Sequence, residues 1–96
     1  MAAYIIGMLE VRDTSWRAEY GPKTAALLEK HGGKVKVRAG TPETLEGEGK
    51  LPNTFLILEF PSVEHAKAWY NDPEYGPMIK LRQTGAEGHL VVLEGV

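Results

Sequence analysis

The stretch Thr54-Phe55-Leu56-Ile57-Leu58-Glu59-Phe60-Pro61-Ser62-Val63-Glu64-His65-Ala66-Lys67-Ala68-Trp69-Tyr70-Asn71-Asp72-Pro73-Glu74-Tyr75 decides the fold. Thr54 to Phe60 is dense in apolar and aromatic side chains and reads as a strand. Pro61-Ser62 breaks the run and places Ser62 as the N-cap of a helix. Val63, Ala66, Trp69 and Tyr70 recur at helical spacing, and Asn71-Asp72-Pro73 ends the segment. Pro73 then begins a short helical segment through Met78, Leu81 and Arg82, with Pro77 making its start irregular.

Working outward, Ala3 to Val11 is a second apolar run and the first strand of the chain. Asp13, Thr14 and Ser15 are candidate N-caps. Trp16, Tyr20, Leu27 and His31, with Leu28 beside them, then follow a helical period. Gly21-Pro22 falls inside that helix and predicts a bend, or a turn followed by a new helix with Pro22 in its first turn. Gly32-Gly33 ends it. Lys34-Val35-Lys36-Val37-Arg38 alternates strictly, which predicts a strand with one polar face. Gly40, Pro42, Gly47, Gly49 and Pro52 mark a long connection of the kind that is functional or mobile. Gly85 and Gly88 precede the last strand, His89 to Glu94. The order strand, helix, strand, strand, helix, strand is the ferredoxin-like α+β arrangement, β-α-β-β-α-β with a four-stranded antiparallel sheet. It fills residues 1–96 as one expected domain.

Composition narrows the function. Apolar residues are 43% of the 96 and charged residues 25%, and the formal net charge is −2. That balance lacks the basic footprint of a nucleic-acid binder. The chain has no cysteine, which excludes disulfides, thiolate catalysis and cysteine-ligated metals. Met1 to Gly7 has no basic lead, so no signal peptide is expected. Nothing approaches the length of a membrane span, and a cytoplasmic location follows as the expectation.

Three strands are apolar on both faces. Ile5, Leu9 and Val11 oppose Tyr4, Ile6 and Met8; Leu56, Leu58 and Phe60 oppose Phe55 and Ile57; Leu90 and Val92 oppose Val91 and Leu93. Two helices cover one face only, and an open face that meets water should be polar. An apolar open face marks an interface, and its economical partner is a second copy of the chain about a twofold axis.

The run Leu58 to Tyr75 resembles the core signature of the bacterial domain of unknown function 1330 family. Gly32-Gly33 with Val37-Arg38-Ala39-Gly40, Leu45-Glu46-Gly47, Arg82 and the closing Glu94-Gly95-Val96 resemble it as well. The resemblance covers essentially the whole chain and implies a dimeric α+β barrel with no established reaction. Relatives by fold include small monooxygenases, muconolactone isomerases and haem-handling enzymes. Gly21-Pro22 departs from the uninterrupted first helix expected of the family.

The ligand-binding candidates are Tyr20, Arg38, Trp69, Tyr75 and Arg82. Arg38 ends a strand beside a glycine turn, where its guanidinium can hold a carboxylate bidentately. Arg82 enters with the resemblance. Trp16, Tyr20, Trp69, Tyr70 and Tyr75 are core or the aromatic wall of a pocket, with Tyr20 and Tyr75 able to bring a phenol to it. His31 and Glu46 are weaker catalytic candidates, as proton carriers or, for Glu46, as the partner of Arg38. Glu10, Glu59 and Glu94 end strands and could pair as acids and bases. His31, His65 and His89 share no ligand spacing, so no metal is expected. The absence of a phosphate loop or dinucleotide fingerprint predicts no cofactor.

Three readings remain open on these residues. The first is a dimer that binds a small carboxylate-bearing or aromatic molecule between helices and sheet. The second is a cofactor-independent monooxygenase or isomerase-like enzyme. The third is an interaction module that binds only itself, which predicts Arg38 paired off and no cavity.

Overall fold

The computed structural model describes residues 1–96. Its elements are β1 (Ala3–Val11), α1 (Arg17–Lys30), β2 (Lys34–Ala39), β3 (Thr54–Phe60), α2 (Val63–Tyr70), α3 (Gly76–Gln83) and β4 (Ala86–Glu94). The strands form one antiparallel sheet in the order β2-β3-β1-β4. This is the ferredoxin-like α+β fold, with its second helix divided into α2 and α3.

The helices cover one face of the sheet. Ile5, Leu58 and Phe60 meet Leu27, Leu28, Ala66, Trp69, Tyr75 and Met78 in one buried cluster. The other face carries Tyr4, Ile6, Met8, Phe55, Ile57, Val91 and Leu93. The register sets these residues side by side, with Ile6 opposite both Ile57 and Val91. The molecule is 16 Å across its shortest axis, as expected of a single helix layer on a single sheet.

Local chemistry accounts for the ends of the elements. The Ser62 hydroxyl accepts the backbone N–H of His65 and caps α2. Gly32 closes α1 at φ +76°, a conformation that favours glycine. Trp16 occupies the N-cap of α1 without a side-chain bond. Asp13 instead accepts the Ser15 N–H ahead of the helix.

Four details differ from the sequence expectations. Of the two outcomes expected at Pro22, the restarted helix does not occur, since α1 runs unbroken from Arg17 to Lys30. Pro22 lies on an exposed part of the helix, so water can serve the carbonyl its missing N–H would have bonded. Gly21 has no Cβ to crowd the proline ring, which relieves part of the usual restriction on the residue before proline. Pro77 sits in the first turn of α3, where its lack of an N–H costs nothing, so the short helix starts regularly at Gly76. β4 begins at Ala86, before Gly88, which stays inside the strand at φ +151° and lets the Met8 carbonyl approach closely. The fourth difference is in β2 and shapes the site.

Candidate functional site

β2 does not alternate strictly. Val35 pairs with Leu58, Val37 with Ile57 and Arg38 with Leu56, with a register shift between Val35 and Val37. Lys36 is the extra residue of a β-bulge, and a bulge re-aims the side chains beyond it. Without it, Arg38 would share a face with Lys34 and Lys36. With it, Arg38 joins Val35 and Leu56 on the helix-covered face, and Val37 turns to the open one.

Arg38 therefore borders a cleft of about 700 Å³ between that face and the helices, within the size range of small-molecule sites. Leu9, Leu56, Leu58 and Leu90 form its sheet side. α1 contributes Arg17, Tyr20 and Thr24, α2 contributes Trp69, and Tyr75 and Arg82 come from the start and the last turn of α3. All five expected ligand-binding residues, Tyr20, Arg38, Trp69, Tyr75 and Arg82, border this one cleft.

Its wall is aromatic. Trp16 meets Tyr20 edge to face, with centroids 5.1 Å apart. Trp69 lies against Tyr75 at 4.4 Å. The hydroxyls of Tyr20 and Tyr75 are 2.6 Å apart and hydrogen-bonded. Burial pushes the Tyr75 phenol well above its ordinary range, and the neighbouring Tyr20 adds to the shift, while the charge of Arg82 opposes it. Tyr75 therefore stays a neutral phenol at physiological pH.

The electrostatics are one-sided. Arg17, Arg38 and Arg82 border the cleft, and no Asp, Glu or His does. The salt bridges of the chain involve Arg12, Lys23, Lys30 and His31, leaving these three arginines unpaired. Arg82 is only 5% exposed. Its Nε, the indole Nε1 of Trp69 and the Thr24 hydroxyl are buried with no hydrogen-bond partner. Buried polar atoms are rarely left so, and all three residues border this cleft.

Other candidates lie elsewhere. His31 Nε2 sits 2.8 Å from Asp72 Oδ2, which also accepts from Lys30 Nζ at 3.0 Å. The group ties the end of α1 to the connection between α2 and α3. These contacts and the Glu74 N–H hold the Asp72 carboxyl well below the usual carboxylate range. Glu46 is exposed in the β2–β3 loop, outside the cleft lining and without an ion pair to Arg38. Glu10 accepts bonds from Asn53, fixing the loop end against β1. Glu59 accepts the Tyr4 hydroxyl at 3.1 Å on the open face. Glu94 is exposed at the end of β4. His65 bonds the Ser62 cap. Arg17 and Thr24 were not singled out from sequence. Their signal was present, because both lie on the face of α1 that carries Tyr20, at spacings of three and four residues.

Fold and site together define a ferredoxin-like α+β protein with a cationic, aromatic-walled cleft under its helices. Residues 2–96 match the model of the family described as domain of unknown function DUF1330, and the chain belongs to that family. A crystal structure of a protein of unknown function from Rhodopseudomonas palustris superposes with a TM-score of 0.80 at 23% identity, covering 99% of this chain and 82% of the other. A cofactor-independent oxygenase from Streptomyces nogalater superposes at TM-score 0.67 and 10% identity, covering 99% and 93%. A dimeric ferredoxin-like protein of unknown function from Jannaschia sp. superposes at 0.61 and 13%, covering 99% and 100%. At these identities the likeness concerns the fold. No curated protein matches the sequence.

Proposed function

We propose that the chain acts, as one domain over residues 1–96, as a homodimeric protein that binds a small organic anion with an apolar or aromatic body in the cleft between helices and sheet. The observation that carries this reading is Arg82, buried at the cleft without a counter-ion. A buried, unpaired charge costs several kcal/mol, and a bound anion removes that cost. Arg38 at the cleft supplies a second cation, and the two tryptophans and two tyrosines supply the apolar wall.

Comparison with the alternatives favours binding. A module that only pairs with itself would need neither the cleft nor its unpaired arginines. Proton-transfer catalysis needs a group that ionises near neutrality, and the side chains lining the cleft offer only phenols and guanidiniums. The oxygenase from Streptomyces nogalater shares the fold at 10% identity, which is no guide to chemistry.

The test is a thermal-shift screen of small carboxylates and aromatics on wild type, Arg38→Ala and Arg82→Met. A ligand at ten times its Kd stabilises by about 1.4 kcal/mol, a shift of several degrees in a domain of this size. The expected result is a set of aromatic acids that raise Tm in wild type and lose their effect in both variants. No stabilising compound, or compounds indifferent to both substitutions, would remove the reading.

A further inference from the structure

The cleft holds more information than its net charge. Arg Nε and Trp Nε1 are donors that cannot accept, and those of Arg82 and Trp69, residues that border the cleft, are unpaired. The Tyr20–Tyr75 pair adds a third donor once its proton order is worked out. The two hydroxyls share one hydrogen bond, so one phenol donates to the other. Tyr75 is fully buried and Tyr20 only partly so. If Tyr20 donated, the Tyr75 proton would be left buried without an acceptor, which is costly. If Tyr75 donates, its buried proton is used and the Tyr20 O–H is free to point into the cleft. Burial keeps Tyr75 protonated, as this order requires.

We infer that Arg82, Trp69 and Tyr20 form a donor-only receptor for one ionised, acceptor-only oxygen group, so that the ligand is an aromatic acid that enters with its carboxylate toward α3, and that Tyr75 is the positioning residue that turns the Tyr20 hydroxyl toward it. This rests on the small-anion reading above and narrows it. A carboxylate offers these donors only lone pairs. A carboxamide brings its own N–H groups, which would face other donors, and loses the charge as well. Sites with buried polar groups discriminate strongly against guests that leave them unmatched.

The experiment is an NMR titration of the full-length protein with benzoate and cinnamate, and with benzamide and cinnamamide as their neutral counterparts. The indole N–H resonance of Trp69, assigned through Trp69→Phe, serves as a direct reporter of acceptor binding. The acids are expected to bind at least about tenfold tighter than the amides, since a hydrogen bond to a charged group contributes about 1.5–3 kcal/mol, and to move the Trp69 indole resonance. Tyr75→Phe and Trp69→Phe, each keeping its ring, should reduce the acid-to-amide ratio several-fold without abolishing binding. A ratio unchanged in both variants would show that arginine charge alone selects the ligand, and would overturn the receptor. Acids and amides that bind the cleft equally would overturn it too, while leaving the small-molecule reading in place. No binding of either series at millimolar concentration would remove both.

Discussion

Arg82 sits where arginine is seldom found, inside the protein and without an anion. Its charge destabilises the empty protein, so Arg82→Met should raise Tm in the absence of ligand while abolishing the response to acids. The gain should be about 1–2 kcal/mol, the low end of what replacing buried charge with packing gives, because water in the cleft solvates part of the guanidinium. Equilibrium unfolding in urea measures it, and a loss of stability would show that Arg82 is a structural residue. Asp72 is the opposite case, a buried carboxylate held by His31, Lys30 and a backbone N–H. Its folded pKa lies below the ordinary 3.8. The stabilisation is therefore present above that value and is lost as pH falls below it. Asp72→Asn should lower Tm at neutral pH and flatten the acid limb of stability between about pH 5 and 2. Limbs of equal slope in the two proteins would contradict the assignment. At this scale the aromatic candidates and Arg38 could be singled out from residue type and position, whereas Arg82 came only with the family resemblance and Arg17 was missed. The pairing of His31 with Asp72 was not, because it joins positions 41 apart in the chain, and no local pattern records such a contact.

The elements show where pattern reading succeeds and where one residue defeats it. β1 was legible to its ends, because the apolar run of Ala3 to Val11 stops at the charged pair Arg12-Asp13. At Gly21-Pro22 one of the two expected outcomes, a turn followed by a new helix, is overturned by the continuous α1, because the preceding glycine and the exposed position let the helix run through the proline. That pairing predicts a non-additive pair of substitutions. Pro22→Ala restores a helix bond and should stabilise, since internal proline costs about 3 kcal/mol against an unfolded-state benefit of about 0.4–1 kcal/mol. A Cβ on Gly21 would meet nothing within 4 Å. Even so, Gly21→Ala should destabilise beside Pro22 and stabilise by up to about 1 kcal/mol once Pro22 is alanine. Chemical denaturation of the two single variants and the double variant checks the change of sign. β2 was misread for a different reason. Alternation is a property of a regular strand, and the bulge at Lys36 interrupts it. Deleting Lys36 should restore the alternation with Val37 still opposite Ile57 and Arg38 still opposite Leu56, so acid binding should persist with the sheet intact. Circular dichroism and the benzoate titration read the two effects separately, and lost binding would show that the bulge itself, rather than the register beyond it, places Arg38 at the cleft.

At the scale of the whole molecule, the unanswered question posed by the sheet is what covers its open face. That face is central to the structure, with Ile6, Ile57 and Val91 aligned across the three strands β3, β1 and β4. On the edge strand β4, Val91 and Leu93 are 39% and 55% exposed, and an exposed apolar face of this kind marks an interface. The apolar pattern on both faces was readable in the sequence, yet sequence cannot say whether a second layer comes from the same chain or another copy. The structure narrows this, because all three helices pack on the opposite face and none remains to cover this one. The molecule measures 37 by 36 Å across its broad dimensions, larger than the roughly 800 Å² per partner of a standard interface. Structural neighbours described as dimeric share the fold. Pairing through this face leaves the cleft free, since the cleft opens between the helices and the other side of the sheet. Assembly and binding should then separate. Val91→Lys should convert a dimer to a monomer by placing a charge on the apolar face, as read by sedimentation velocity. It should lower stability through the lost burial but leave the affinity for benzoate within a factor of about two, because Val91 is not part of the cleft lining. A wild-type protein that sediments as a monomer at micromolar concentration would rule out pairing through this face. A monomeric variant that no longer binds would show that the cleft depends on the second copy.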